Sequence, residues 1–257
     1  RPGAAHAVLL AIALVAAAAL AWHGPIAQWP DYHRFADTRG WLGLPNAANV
    51  LSNLPFAMVG AWGLWRLSRM PLDDRDRGVQ RSWWVFSAAV AATAFGSSLY
   101  HWAPANGPLV FDRLPIAWAC AALVCALFAE RVDSRWGSSA ALGATLLAAT
   151  LSVALWWVTE REGHGDLRAY LWVQFLPMLM VPAVLALKQP PTGSRVTAGS
   201  AWWIVLALYA AAKLMELADA SVFDALRFAS GHTLKHLLAA AGAWSLLRAA
   251  TRGDQLR

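Results

Sequence analysis

The sequence predicts an all-α polytopic membrane protein, with a seven-transmembrane-helix core preceded by one extra N-terminal apolar helix or signal segment. Composition is the first ground: of 257 residues, 58% are hydrophobic and only 14% charged, where a soluble domain of this length carries nearer a quarter. Second, apolar runs close to the roughly 20 residues that cross a hydrocarbon core recur along nearly the whole chain. Third, those runs are continuous and rich in Ala and Leu, which favours helices over the alternating strands of a β-barrel.

Eight segments are expected, at about 6–23, 48–67, 82–101, 109–130, 138–158, 169–188, 201–217 and 232–250. The first is ambiguous. Ala16 to Ala21 could end a signal peptide at a small-residue cleavage site, with Arg1 as a weak positive flank. The chain therefore divides into 1–23, an N-terminal apolar helix or signal segment, and 24–257, a seven-helix membrane domain. The second segment follows the loop Asp31-Tyr32-His33-Arg34-Phe35-Ala36-Asp37 and carries Asn46, Asn49, Ser52 and Asn53 at its top. Those amides and that hydroxyl either pack polar contacts between helices or tie the loop over a site. The third segment ends in Ser97-Ser98-Leu99-Tyr100-His101, and Asp112 is expected to open the fourth after a short turn through Pro108. The fifth is plain, and the sixth carries Pro177 and Pro182. The seventh, the shortest, bears Lys213 and Glu216 near its end with Asp219 just beyond; the eighth opens on His232 and His236.

Tryptophans near segment ends, Trp22, Trp83, Trp84, Trp136, Trp156, Trp157, Trp202 and Trp203, read as an interfacial belt. Cys120 and Cys125 lie within an apolar run without CxxC spacing, which excludes a disulfide framework and a thiolate zinc knuckle. The net charge of +6 sits in the connections between apolar runs, as in polytopic proteins, and no basic stripe stands clear of them, so a nucleic-acid partner is rejected. Nine arginines (Arg69, Arg75, Arg77, Arg81, Arg131, Arg135, Arg195, Arg252, Arg257) fall on one side of the predicted topology. Five (Arg34, Arg39, Arg161, Arg168, Arg227) fall on the other. The excess places the first side, with the C-terminus, in the cytoplasm. His101, Asp112, His232 and His236 then share the extracytoplasmic side.

Ionisable side chains in a bilayer are costly and usually face a cavity, so that co-location predicts a site. His232 and His236, four residues apart, project from one helical face a turn apart, which suits two ligands of one zinc ion. His101 supplies a third, and three histidines leave a fourth position open for water. Asp112 is the candidate base for that water; its bland role is a carboxylate favoured by a helix dipole. A salt bridge with Arg113 is disfavoured because sequence neighbours point apart on a helix. Ser97, on the face of His101, would hydrogen-bond a carbonyl one turn back or stabilise an oxyanion on a substrate carbonyl; Ser98 points about 100° away. Lys213, Glu216 and Asp219, at three-residue steps, read as an ion pair plus a loop carboxylate, or as groups that orient a metal-bound histidine. Lys235 could pair with Glu216 or bind a lipid headgroup.

Ser97, His101, Asp112, His232 and His236, with their spacing, resemble the alkaline ceramidase family. That family lies within the superfamily that includes adiponectin-type receptors and haemolysin III-like proteins. The run Asn49-Val50-Leu51-Ser52-Asn53-Leu54 looks like its first core helix, and the likeness covers about residues 30–250. The resemblance implies a seven-helix zinc amidase that cleaves the N-acyl bond of a ceramide-like membrane lipid to a fatty acid and a sphingoid base. Three histidines would be ligands, aspartate the base and serine the oxyanion donor. Eukaryotic members carry an acidic calcium site ahead of the first core helix. Here Asp31 and Asp37 stand without a glutamate and Asn46 replaces an expected carboxylate, which argues against calcium. The short loops and the Ala-rich, Arg-over-Lys composition look like a bacterial inner-membrane protein. Two other readings stand beside this one: a seven-helix receptor or sensor with structural zinc, and a proton-coupled transporter relaying through Lys213, Glu216 and Asp219. The transporter predicts repeated halves, and no internal repeat is evident.

Overall fold

The computed structural model describes residues 2–71, 76–193, 195–252 and 254–255. Arg75 and Arg257, two of the arginines on the more basic side, lie outside these residues, as do Arg1 and the side chain of Arg195. The described chain is helical: α1 (Pro2–His23), α2 (Ala47–Leu51), α3 (Leu54–Ser68), α4 (Arg77–Trp102), α5 (Asn106–Arg131), α6 (Ser139–Arg161), α7 (Arg168–Leu187), α8 (Gly199–Leu217), α9 (Asp219–Leu226) and α10 (Gly231–Arg252). A 3-10 turn, Ser134–Gly137, precedes α6, and two dipeptides, β1 (Arg195–Val196) and β2 (Asp254–Gln255), pair antiparallel.

Five helices, α1, α5, α6, α7 and α8, are long and apolar enough to cross a membrane. The other expected segments differ for physical reasons. The run at 48–67 is broken at Ser52-Asn53, where Pro55 sits at the start of α3 and cannot donate a backbone hydrogen bond into α2. Helices α4 and α10 are long, but part of their length is given to buried polar residues: Gln80, Ser82, Ser87, Thr93, Ser97 and His101 on one, His232, Thr233, His236 and Thr251 on the other. Their low apolarity reflects an interior that is itself polar. The short α9, absent from the sequence expectation, turns the chain between α8 and α10.

Helix α4 packs on α3 and α5; α5 also meets α6 and α7; α8 packs mainly on α10 and lightly on α7; α10 returns to α3. This closes a ring with α5 innermost: 61% of its apolar window is buried, against 11% for α1, which leans on α7 from outside. Large apolar side chains such as Leu14, Val15, Phe95, Leu147, Leu151 and Leu214 stay exposed on the outer faces, as expected where the surrounding medium is hydrocarbon rather than water.

The tryptophan belt needs correction. Trp22 and Trp203 are exposed, but Trp83, Trp156 and Trp202 are buried. Trp83 donates to the buried Glu130 carboxylate at 3.1 Å and lies 5.9 Å from Trp202, while Trp156 carries the Arg113 guanidinium 3.9 Å above its ring. Trp83 meets Glu130 through its indole N–H and Trp156 meets Arg113 through its π face, contacts that an aliphatic side chain could not make.

Candidate metal centre

His101 is the penultimate residue of α4, and His232 and His236 lie on the first turns of α10. The three rings form a nearly equilateral cluster, with centroids 4.8, 4.9 and 4.8 Å apart. All three are buried, and one ligand atom from each lies within 4.8 Å of the others. The structure thus brings together the three histidines predicted as ligands, in a group that could hold a metal ion.

The donor set fits a metal. His101 Nε2 and His232 Nε2 lie 3.2 Å apart, close enough to share a proton or to ligate one ion. His236 Nδ1 lies 2.7 Å from Ser52 Oγ, whose own proton goes to the Asn49 carbonyl at 3.0 Å. The serine oxygen therefore accepts from His236 Nδ1–H, which leaves Nε2 as the free donor atom. His101 Nδ1 is buried with no hydrogen-bond partner, a site that would gain from a water or a shifted acceptor.

Two of the three histidines are also held by their backbone. Asn46 donates to the His101 carbonyl at 2.8 Å. The His232 amide donates to Asp219 Oδ1 at 2.7 Å, and the other carboxylate oxygen of Asp219 takes the Ala36 amide at 2.9 Å. Gly231 permits that seat, since a Cβ there would strike the Met215 carbonyl and come within 2.8 Å of Asp219 Cα. Asn49 donates to the Asp37 carbonyl at 3.1 Å and accepts from Thr233 at 3.1 Å, and Asn53 holds the Asn49 carbonyl at 2.9 Å. Asn49, Ser52 and Asn53 are thus scaffold for the cluster and for the loop over it.

Asp112 and Ser97 are both buried, and the Ser97 hydroxyl faces the Asp112 carboxylate. Asp112 is not the opening residue of its helix. Helix α5 begins at Asn106, with Pro108 in the first turn where its missing N–H costs nothing. Asp112 therefore stands nearly two turns in, and the helix-dipole account of it falls. Arg113 points away onto Trp156, as its adjacency predicts. Ser98 bonds the Val50 carbonyl at 3.3 Å, away from the cluster.

Residues 24–46 cross this end of the bundle as a strap. The Phe35 ring packs 4.7 Å from His101 and 4.8 Å from His232. His33 bridges Tyr100 Oη at 3.0 Å and Asn106 Oδ1 at 2.8 Å. Arg39 holds the buried Asp37 at 2.7 Å and reaches the Arg227 carbonyl at 2.9 Å. That guanidinium keeps the Asp37 carboxyl below the usual carboxylate range. Asp31 pairs with Arg34 at 3.1 Å, so neither strap carboxylate stands apart from an arginine. Phe35 and Thr233 carry no motif and were missed from sequence, whereas Asp219, read there as a group that could orient a metal-bound histidine, braces the His232 backbone.

Lys213, Glu216 and Lys235 form one chain of ion pairs: Glu216 Oε2 lies 2.7 Å from Lys213 Nζ and Oε1 lies 2.6 Å from Lys235 Nζ. Lys235 Nζ is also 3.4 Å from His232 Nε2. Fold and site together define a helical membrane protein with a buried three-histidine group able to take a metal ion. No protein-family model matches the chain, and no curated protein matches it.

Proposed function

We propose that the protein is a membrane-embedded zinc-dependent amide hydrolase that cleaves the N-acyl bond of ceramide-like lipids, related to the alkaline ceramidases. The observation that carries this reading is the buried three-histidine group, with buried Ser97 one helical turn before His101 and the buried Asp112 carboxylate facing Ser97. A structural metal site needs ligands but no such acid–base pair beside it. Three imidazoles suit zinc and leave a coordination position open.

When bound, zinc supplies Lewis acidity and makes a coordinated water a nucleophile at neutral pH. Everything else falls to the chain. Asp112 takes a proton from the attacking water and returns it to the leaving amine, as one carboxyl can do in both half-reactions. Ser97 donates its hydroxyl hydrogen to the carbonyl oxygen as charge develops there. The Ser52 acceptor fixes the His236 tautomer, Asp219 fixes the His232 backbone, and Phe35 keeps bulk water off the cluster. The amide reaches the site laterally from the surrounding lipid. In this reading α2–α3, α4, α5, α6, α7, α8 and α10 are the seven-helix core and α1 is an addition to it. The arginine distribution supports an extracytoplasmic site and a cytoplasmic C-terminus.

The test pairs metal content of purified protein with fatty-acid release from a ceramide panel. One zinc per chain is expected, lost together with activity in His232→Ala. Asp112→Asn should retain the metal while turnover falls by about 10²–10⁴-fold, the usual worth of a general base. Activity that persists in metal-free protein would overturn the mechanism, and zinc bound without cleavage of any lipid would favour a structural or sensing metal.

A further inference from the structure

We infer that the gap between α1 and α6 holds one glycerophospholipid, its acyl chains inside the gap and its phosphodiester on Arg135. Helix α1 leans on α7, where the indole N–H of Trp172 pins it by donating to the Ala13 carbonyl at 3.2 Å. On its other side α1 stands off from α6, and the space between them is a cavity of about 890 Å³ with residues of α5 and α7 as its floor. That is near the top of the range of roughly 300–1,000 Å³ for ligand pockets. Most of its lining is apolar, with Leu9, Leu14, Val124, Phe128, Leu176 and Met180 among it. The polar groups part-way along are already engaged: the Thr145 hydroxyl donates to the Leu142 carbonyl at 3.0 Å, and the Trp172 N–H is held by α1. A space with such walls stays dry. The four helices around it are apolar enough to cross a membrane, so what fills it is hydrocarbon.

Depth and polarity set the occupant. On α6 the lining runs from Ala141 to Ala148, and a second cavity of about 500 Å³ takes over from Ala148 to Leu155. Each stretch is a step of seven residues, about 11 Å of helix. The gap is thus divided near the middle of a hydrocarbon core about 30 Å thick, as two leaflets divide it. The larger cavity is one leaflet deep. Its polarity gathers at one end, where His6, Asp133 and Arg135 stand at the mouth beside Trp136, an indole placed to meet the membrane interface. His6 Nε2 lies 3.7 Å from the Asp133 carboxylate, and Arg135 gives that carboxylate its Nε at 2.9 Å and its Nη2 at 2.6 Å. Arg135 Nη1 has no partner among the described residues, and the side chain is 86% exposed. A lipid with an anionic oxygen at its head and hydrocarbon below it matches both ends. The phosphodiester takes the Nη1 hydrogens in a charge-assisted bond, and the chains run down to Ala17 and Ala148. The lipid belongs to the leaflet on the Arg135 side, and it joins α1 to the bundle where protein contact does not.

The experiment exchanges the purified protein into fresh detergent, counts retained phospholipid by native mass spectrometry, and then titrates stripped protein with dipalmitoylphosphatidylglycerol and with dipalmitoylglycerol, which lacks the phosphate. One phospholipid per chain should be retained, and the phosphate-bearing probe should bind about tenfold or more tighter, the worth of one charge-assisted hydrogen bond. Arg135→Gln should abolish that preference. Ala144→Trp, which fills the gap from α6, should abolish retention, whereas Leu147→Trp, on the exposed face of α6 outside both cavities, should keep it. The Arg135→Gln comparison decides the matter even where Ala144→Trp fails to fold. Equal affinities for the two probes in the parent protein, or retention lost equally in Leu147→Trp, would overturn the site. So would a free fatty acid retained in place of the phospholipid, or a lipid-free dimer that Ala144→Trp dissociates, which would give the gap to a second copy of the chain.

Discussion

Ser52 Oγ accepts the Nδ1–H of His236 at 2.7 Å, across 184 residues of sequence, and so decides which nitrogen of that ring faces the cluster. The serine can do this because its own hydrogen is committed to the Asn49 carbonyl. Removing the hydroxyl frees the ring to rotate or to change tautomer without touching a ligand atom. Ser52→Ala is expected to weaken zinc binding about 10–100-fold, the usual effect of losing a partner behind a metal-ligating histidine. Competition against a calibrated chelator reads this directly, and an unchanged affinity would show that α10 packing alone fixes the ring.

The place where α4 and α5 cross is set by Gly96. A Cβ there would meet the Phe111 carbonyl and come within 3.3 Å of the Asp112 amide. That carbonyl is the one that Pro115, four residues on, cannot serve with a backbone N–H, so the helix presents it to the neighbour that lacks a side chain. Ser97 is thereby brought to Asp112. Gly96→Ala should push the helices apart, with about 1–3 kcal/mol of overpacking and loss of amide cleavage even where zinc is retained. Thermal unfolding followed with zinc analysis separates the two effects. Full activity in this variant would mean that the crossing tolerates a methyl group and that the Ser97–Asp112 contact has another cause.

The histidine cluster was legible because its spacing is local: His232 and His236 share a helical face by period alone, and parity of the apolar runs puts His101 at the same end. The Lys213–Glu216 pair was legible for the same reason. Gly96 and Phe35 were not, because each acts through a contact between segments that no periodicity encodes. Asp112 was found as a residue and misplaced on its helix, since the N-terminal turn at Asn106–Leu109 is polar and proline-bearing and reads as loop. The tryptophans misled in the other direction. Position near a segment end predicts an interface only where the indole has no buried partner, and Trp83 and Trp156 have Glu130 and Arg113.

Acid should loosen the strap before it unfolds the bundle. The Asp37 carboxyl is held below its ordinary value by Arg39, so its contribution is complete above the unfolded carboxylate pKa of about 3.9. It is lost as pH falls through the lower folded value. Hydrogen exchange of residues 36–46 should therefore stay slow from neutral pH down to about pH 4 and rise below it. Asp37→Asn should show fast exchange across the whole range. A strap whose protection does not fall at any pH below about 4, or an Asp37→Asn variant as protected as its parent, would assign the closure to the Asp219 and Asn49 contacts instead.

Phe35 is the strap's one aromatic contact with two of the three histidines, and it lies between them and the loop side of the bundle. Closing a site with an apolar ring strengthens every electrostatic interaction inside it and slows exchange with bulk solution. Phe35→Ala leaves all three ligands and the Ser52 and Asp219 braces in place, so zinc should still bind at one per chain. What should change is the rate: stripping by a water-soluble chelator should quicken by about tenfold or more, since a barrier lowered by 1.36 kcal/mol is a tenfold rate. A lipid substrate that arrives from the bilayer should be admitted as before. If stripping is no faster, the metal does not exchange through the strap.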